Sequence, residues 1–326
     1  MAAVLGRRVL LLEPGPWLAR CAGLELTLES GEALLGLRSE GGNLRDEERD
    51  ETTWHMLTTR RMLRLDLRSH DPDTGPWKGE RFPADRGELL WESQGLFAFH
   101  RSGTGTLLST DAGKSILSET PDLLTSPAWM GSQDFVCLGR SDLYFGSLAG
   151  GDPPERSPAP EPLAAHPPLY DPATDRVYLS GETAVYWWQP GSLKLIPFAA
   201  AGGGAVLPAP EGVVILEGDR LRIMGHDEHV LWDSRIVMPD FAPAALPWDH
   251  AGEALLVPAA ARGAGTQLLL ADLKNPGWLR HTELDGILPC QPRLVPGGIV
   301  AAQRRPGKAS LDLVWIGISQ GNSAEE

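Results

Sequence analysis

The chain contains seven short strand pairs, each made of a strand, a tight polar turn and a second strand. The pairs cover residues 54–59 and 62–68, 96–100 and 104–109, 134–138 and 142–147, 176–180 and 183–188, 212–217 and 219–224, 253–258 and 266–273, and 298–303 and 310–318. The turns after the second strands centre near residues 73, 111, 150, 190, 226 and 275, so they lie 36 to 49 residues apart. One four-stranded propeller blade takes roughly 40 to 50 residues. The repeat therefore predicts an all-β fold, a single closed β-propeller over residues 1–326 with seven four-stranded blades.

The two ends of the chain set how such a ring would close. Only the polar tail 319–326 follows the last pair, so it cannot supply a fourth strand. A ring left open would expose two strand edges. We therefore expect residues 1–30 to complete the last blade, with a strand at 8–12 or at 24–28. The acidic segment 40–51 is expected to be a mobile loop, and the proline-rich segment 151–162 a second flexible loop.

Cysteine content and charge restrict the compartment and the partners. The three cysteines, Cys21, Cys137 and Cys290, lie far apart, which favours reduced thiols in a cytoplasmic protein. No run of residues approaches the ~18 apolar residues of a membrane span. The net charge of −14 repels nucleic acid and anionic membranes. The sequence thus predicts a cytoplasmic protein that binds neither.

Two segments carry a resemblance to known repeat signatures. Residues 170–178, Tyr-Asp-Pro-Ala-Thr-Asp-Arg-Val-Tyr, resemble the turn and strand of bacterial YVTN- and TolB-type propellers. Residues 109–116, Ser-Thr-Asp-Ala-Gly-Lys-Ser-Ile, resemble the Asp-box turn of sialidase-like propellers, although Ile116 replaces the usual aromatic residue. Residues 71–75 are a degraded second copy. These resemblances imply a bacterial β-propeller and no particular family.

Acid–base groups are available if the propeller is an enzyme. Asp122, Asp240 and Asp285 come just before expected inner strands, at the mouth of the channel, and His166 lies near the start of another. A glycosidase needs two carboxylates that face one sugar, and a lyase or hydrolase could use the same groups as acid and base. Aspartate also favours such loops for structural reasons, so both interpretations stay open.

Tryptophans and one polar turn are further candidate sites. The tryptophans at equivalent places in the repeats are Trp77, Trp91, Trp129, Trp232, Trp248 and Trp278. Equivalent placement favours packing between blades, while an exposed ring could stack on a sugar or a peptide. The turn 226–229, His-Asp-Glu-His, predicts no metal site because consecutive turn residues mostly point apart. No cofactor is expected.

The strongest functional signal is electrostatic. The turns that join second and third strands open on one face of a propeller, and their cations are Arg60, Arg61, Arg101, Arg140, Arg262, Arg304, Arg305 and Lys308. Glu182 and Asp219 oppose them, so eight cations less two anions give +6 on a chain of −14. Arginine suits the capture of carboxylate or phosphate, although polar turns also keep sheet edges soluble.

These features together predict a non-catalytic interaction platform. Its basic face would bind an acidic protein partner or an anionic small molecule. An enzyme with a site at the channel mouth and a carbohydrate-binding propeller remain the alternatives.

Overall fold

The computed structural model describes residues 25–39, 53–66, 77–82, 87–93, 96–101, 104–109, 125–149, 152–192, 194–209, 211–218, 220–235, 249–251, 254–260, 266–272, 279–284, 286–295, 298–308 and 310–317. The secondary structure of these residues consists of strands joined by turns and bends. None of them belongs to a helix with the length and apolarity needed to span a membrane.

The strands follow one another along the chain at short intervals. They are β1 (Glu25–Thr27), β2 (Leu34–Ser39), β3 (Thr53–Thr58), β4 (Arg61–Asp66), β5 (Trp77–Arg81), β6 (Glu88–Ser93), β7 (Leu96–Arg101), β8 (Thr104–Ser109), β9 (Ala128–Met130), β10 (Asp134–Leu138), β11 (Asp142–Ser147), β12 (Glu155–Pro158), β13 (Leu169–Asp171), β14 (Arg176–Ser180), β15 (Val185–Trp188), β16 (Ile196–Ala199), β17 (Ala205–Ala209), β18 (Gly212–Glu217), β19 (Arg220–Gly225), β20 (Val230–Arg235), β21 (Asp249–Ala251), β22 (Ala254–Ala260), β23 (Thr266–Asp272), β24 (Leu279–Leu284), β25 (Arg293–Val295), β26 (Gly298–Gln303) and β27 (Ser310–Gly317).

Within the described residues the strands pair into six four-stranded sheets and one three-stranded sheet. In chain order we name them sheet I (β2–β5), sheet II (β6–β8), sheet III (β9–β12), sheet IV (β13–β16), sheet V (β17–β20), sheet VI (β21–β24) and sheet VII (β25, β26, β27 and β1). All seven predicted strand pairs are present as antiparallel neighbours, with bounds within two residues of those predicted. Sheet II has three strands among the described residues. The prediction of seven four-stranded blades is therefore not confirmed. Closure into one ring stays a prediction.

The N-terminal strand β1 completes sheet VII. It runs antiparallel to β27, with Leu26 opposite Leu311, and Leu311 is only 1% exposed. The pairing confirms the prediction that a strand at residues 24–28 completes the last sheet. The other candidate strand, residues 8–12, lies outside the described residues, as do residues 40–51 and 319–326.

The chain divides into two compact units, one formed by Met1–Phe82 and Met238–Glu326 and the other by Pro83–Val237. In the second unit, hydrophobic clusters join sheet II to III, sheet III to IV, and sheet IV to V. Strand β10 shows why the sheets stack: Cys137 packs with sheet II while Val136 and Leu138 pack with sheet IV. Alternate residues of a strand face opposite sides, so a strand buried on both sides reads as one continuous apolar run. In the first unit the cluster around Ile299 and Ile316 joins sheets VI and VII.

Two predictions about sheets III and IV are wrong in detail. The segment expected to be a flexible loop at 151–162 contains the outer strand β12, whose Pro158 lies opposite Asp142. Proline is tolerated there because an outermost strand leaves one row of N–H groups unpaired, and Pro197 occupies the outer strand β16 in the same way. The first strand of sheet IV begins at Leu169, so His166 lies in the preceding loop.

The described cysteines are buried and free. Burial raises the pKa of the Cys137 thiol to about 12, and it raises the pKa of Cys290 to about 12 against a small opposing effect of Arg293. Both thiols are therefore protonated and unreactive at neutral pH. Cys21 lies outside the described residues.

Candidate functional site

In three sheets, the turn between the second and third strands is tied to the loop that leads into the first strand. The residue leaving the second strand donates its backbone N–H to a loop carbonyl. The pairs are Thr59 to Ala33 at 2.9 Å in sheet I, Glu182 to Pro162 at 3.1 Å in sheet IV, and Arg304 to Ile287 at 2.9 Å in sheet VII. This hydrogen bond relates Ala33, Pro162 and Ile287, although in sheet IV the donor is the second residue after β14 and the isolated bridge joins Leu163 to Gly181.

The residue before this loop carbonyl is a glutamate in sheet I. The side chain of Glu32 is fully buried, and it accepts hydrogen bonds from Arg61 Nε at 2.8 Å and Arg61 Nη2 at 3.0 Å. It also accepts from the Thr58 hydroxyl and the Glu29 N–H. Burial acts to raise the pKa of Glu32, but these hydrogen bonds outweigh it and the pKa lies below its usual value. Arg61, predicted as a binding residue, is thus held by an internal carboxylate.

Glu161 is the equivalent residue in sheet IV. Its carboxylate accepts from the N–H of Thr183 at 3.0 Å, the Thr183 hydroxyl at 2.6 Å and the N–H of Ala184 at 3.2 Å. Burial acts to raise the pKa of Glu161, and the hydrogen bonds from Thr183, Tyr186 and Ala184 lower it further than burial raises it. Gly181 leaves the space that this carboxylate fills, because a Cβ there would collide with Glu161 Oε1.

The lowered pKa values of Glu32 and Glu161 predict how stability changes with pH. A carboxylate whose pKa is lower in the folded state than its unfolded value of 4.5 stabilises the fold above that pH. This contribution is lost as pH falls through the folded pKa. We expect Glu32→Gln to be less stable than the native chain at about pH 6 and to lose less stability between about pH 6 and pH 3. Urea denaturation at each pH measures the stability of both proteins. If their stabilities changed in parallel with pH, the lowered pKa of Glu32 would be contradicted.

Sheet VII has no carboxylate at this position, because the equivalent residue is Gly286. The space is bordered by Gln303, whose Oε1 lies 3.1 Å from where a Cβ of Gly286 would stand. Gln303 is buried and its Oε1 has no hydrogen-bond partner. In sheet VII this position is therefore bordered by a neutral amide, whereas sheets I and IV have a carboxylate there.

The turn after β26 is the most basic one in the described chain. Arg304, Arg305 and Lys308 are all exposed. Arg305 Nε lies 2.9 Å from Oδ2 of Asp312, which is buried on β27. This ion pair orients one guanidinium, while Arg304 and Lys308 stay at the surface. We call residues 304–308 the basic turn.

The other predicted binding residues are spread over both units. Arg60 donates from Nη1 to the carbonyl of Ser30 at 3.0 Å. Arg101 is exposed at the end of β7, and Arg140 is exposed between β10 and β11. Arg262 lies outside the described residues. The sequence-based excess of +6 counted turn residues alone, and the structure adds Glu32, Glu161 and Asp312 from loops and strands.

These three carboxylates were missed by sequence reasoning. Glu32 lies 29 residues from Arg61, and Glu161 lies 22 residues from Thr183. Only the repeat itself carried a signal: each glutamate precedes the first strand of its sheet. These spacings differ by seven residues (29 against 22), so superposing the repeats on their turns would not have aligned the two glutamates.

Of the predicted acid–base groups, the structure describes His166. Its Nε2 lies 3.0 Å from the carbonyl of Gly203, and because a carbonyl only accepts, Nε2 carries the proton. Burial lowers the pKa of His166, against a smaller opposing effect of this hydrogen bond, so the ring is neutral at pH 7. Asp122, Asp240 and Asp285 lie outside the described residues, and their catalytic role stays a prediction.

The turn 226–229 is tied to the neighbouring sheet IV. His226 Nδ1 lies 3.0 Å from Asp171 Oδ2. Arg176 Nη1 lies 4.0 Å from Glu228 Oε1, and its guanidinium stands 4.3 Å over the ring of Trp187. The turn thus contacts sheet IV through the ion pair of Glu228 with Arg176 and through the close approach of His226 to Asp171.

Two of the predicted tryptophans pack between sheets, as equivalent placement suggested. Trp91 is buried in the cluster that joins sheets II and III. Trp129 packs against Phe135 and donates from Nε1 to the Ser93 hydroxyl at 2.9 Å. Trp232 is half-buried on β20. Trp77 belongs to β5, while Trp248 and Trp278 lie outside the described residues.

Comparison with solved structures identifies the fold. The chain is similar to virginiamycin B lyase from Staphylococcus aureus, with a TM-score of 0.60, 12% identity and coverage of 89% of this chain and 98% of that one. It is similar to the Cps50 (Swd1) β-propeller domain from Myceliophteria thermophila, with a TM-score of 0.58, 11% identity and coverage of 89% and 98%. Hsv2 from Kluyveromyces lactis gives a TM-score of 0.54, 10% identity and coverage of 87% and 98%. These similarities and the sheets show a β-propeller fold. No protein-family model and no curated protein matches the chain.

Proposed function

We propose that this β-propeller is a non-catalytic interaction platform, with seven blades in a closed ring, and that its basic turn binds an acidic protein partner. The observation that carries the proposal is the charge of sheet VII. Its turn presents Arg304, Arg305 and Lys308 at the surface, and its loop has Gly286 where sheet I has Glu32, the carboxylate that pairs with Arg61.

The geometry of the basic turn supports a carboxylate-bearing partner. The pair with buried Asp312 fixes Arg305, and an oriented guanidinium loses less conformational freedom when it binds. Oriented cations attract carboxylates and raise the association rate. The side chains are exposed on a turn, which suits a macromolecular partner, because small-molecule sites bury most of their ligand.

Charge reversal at Arg304 tests the proposal. Arg304→Glu removes a positive charge and adds a negative one beside Arg305, so we expect binding of a fluorescent Asp/Glu-rich peptide to weaken by about tenfold at low salt. Fluorescence anisotropy measures the affinity, and binding by the native chain should fall as salt rises. Arg305 is left unchanged because Arg305→Glu would also place a carboxylate against buried Asp312.

Lys194→Glu is the matched control. Lys194 is exposed between β15 and β16, at a turn that joins third and fourth strands, and the substitution changes the net charge equally. Equal weakening by both variants would mean that overall charge, not the basic turn, governs binding. Absence of peptide binding to the native chain at low salt would overturn the proposal.

A further inference from the structure

One large apolar side chain is exposed beside the basic turn. The exposed large hydrophobic residues of the described chain are Ile196, Val230, Leu231 and Ile287. Ile287 is the most exposed of them at 58%, and it is paired directly with Arg304. Burial of aliphatic surface favours association, so an exposed isoleucine next to cations combines two kinds of recognition at one place.

The backbone holds Ile287 firmly in this position. Its N–H donates to the carbonyl of Arg304 at 3.0 Å, and its carbonyl accepts from the N–H of Arg304 at 2.9 Å. The two residues thus form a reciprocal antiparallel bridge. A side chain on a fixed backbone binds with a smaller loss of conformational entropy than one on a free loop.

The carbonyls that accept the corresponding turn hydrogen bond belong to smaller residues in the other sheets. Ala33 and Pro162 accept the same turn hydrogen bond in sheets I and IV, and both are exposed. The residue that donates this bond also differs, since it is Thr59 in sheet I and Glu182 in sheet IV. A large aliphatic side chain and a cation occur together in sheet VII alone among these three.

We propose that Ile287 is the apolar anchor of the partner site, and that the partner is an acidic peptide segment carrying one bulky aliphatic or aromatic residue. The inference rests on the proposed function. The carboxylates of the segment would pair with Arg304, Arg305 and Lys308, and its apolar residue would cover Ile287. Charge complementarity selects this occupant, because a basic or neutral apolar segment would bring no carboxylate to the exposed basic turn.

Two synthetic peptides of about twelve residues separate the apolar contribution to the affinity from the contribution of charge. They share one Asp/Glu sequence and differ only in having Leu or Ser at the centre. We expect the Leu peptide to bind the full chain about fivefold to tenfold more tightly than the Ser peptide. Ile287→Ser should abolish this preference and leave the affinity for the Ser peptide unchanged. Isothermal titration calorimetry measures all four affinities, and a melting curve confirms that the variant is folded.

Ile196→Ser provides the control, because Ile196 is also an exposed isoleucine, at 40%, and lies on β16 in the other unit. It should keep the preference for the Leu peptide. Equal binding of both peptides to the native chain would overturn the anchor and leave the platform proposal standing. Binding of neither peptide would overturn the proposed function and the anchor with it.

Discussion

Replacing Glu32 by alanine is expected to destabilise the fold by about 3–5 kcal/mol, the usual effect of removing one partner of a buried ion pair. The fully buried carboxylate accepts two hydrogen bonds from Arg61 and one from the Thr58 hydroxyl. Without it, the guanidinium of Arg61, only 20% exposed, loses its hydrogen-bonded carboxylate while it stays largely shielded from water. Urea denaturation of the native chain and Glu32→Ala measures the loss.

Glu29→Ala is the control for this prediction. Glu29 pairs with Arg81 at the surface, and exposed pairs contribute about 0–1 kcal/mol. The double variant Glu32→Leu with Arg61→Met should recover part of the lost stability, since it removes the uncompensated charge. If Glu32→Ala lowered the free energy of unfolding by less than about 1 kcal/mol, the buried carboxylate of Glu32 would not be stabilising sheet I.

Deleting residues 1–28 is expected to be comparably damaging. The deletion removes β1, uncovers the edge of β27 and exposes Leu311, which is 1% exposed when β1 is paired. Three paired residues at about 1 kcal/mol per hydrogen bond, with the added apolar exposure, predict a loss of about 3 kcal/mol or more. For a chain of 326 residues, that loss corresponds to a fall in Tm of about 4–5 °C.

A shorter deletion separates the two candidate closing strands. Deleting residues 1–22 removes residues 8–12 and keeps β1, so its melting curve should match that of the native chain. If this deletion lowered Tm as much as the longer one, β1 would not be the closing strand. The uncovered edge should also make the longer deletion prone to self-association, which light scattering detects.

The paired central strands were predictable because short apolar runs on each side of polar turns are a strong local signal. The first strands of sheets III, IV, VI and VII have three residues each, too few for alternation to be recognised. Strand β12 was hidden by Pro158 and by the prolines that flank the strand. The basic turn was readable from its composition, whereas the pairing of Arg61 with Glu32 and the exposure of Ile287 depend on contacts between distant segments.

The prolines of β12 and β16 also restrict how copies of this protein can meet. A proline in an outermost strand offers no N–H to an incoming chain. Main-chain pairing between the outermost strands of neighbouring molecules, the usual route from a β-rich protein to a filament, is therefore disfavoured at sheets III and IV. At these two sheets, contacts between copies should therefore depend on surface charge and side chains rather than on main-chain hydrogen bonds.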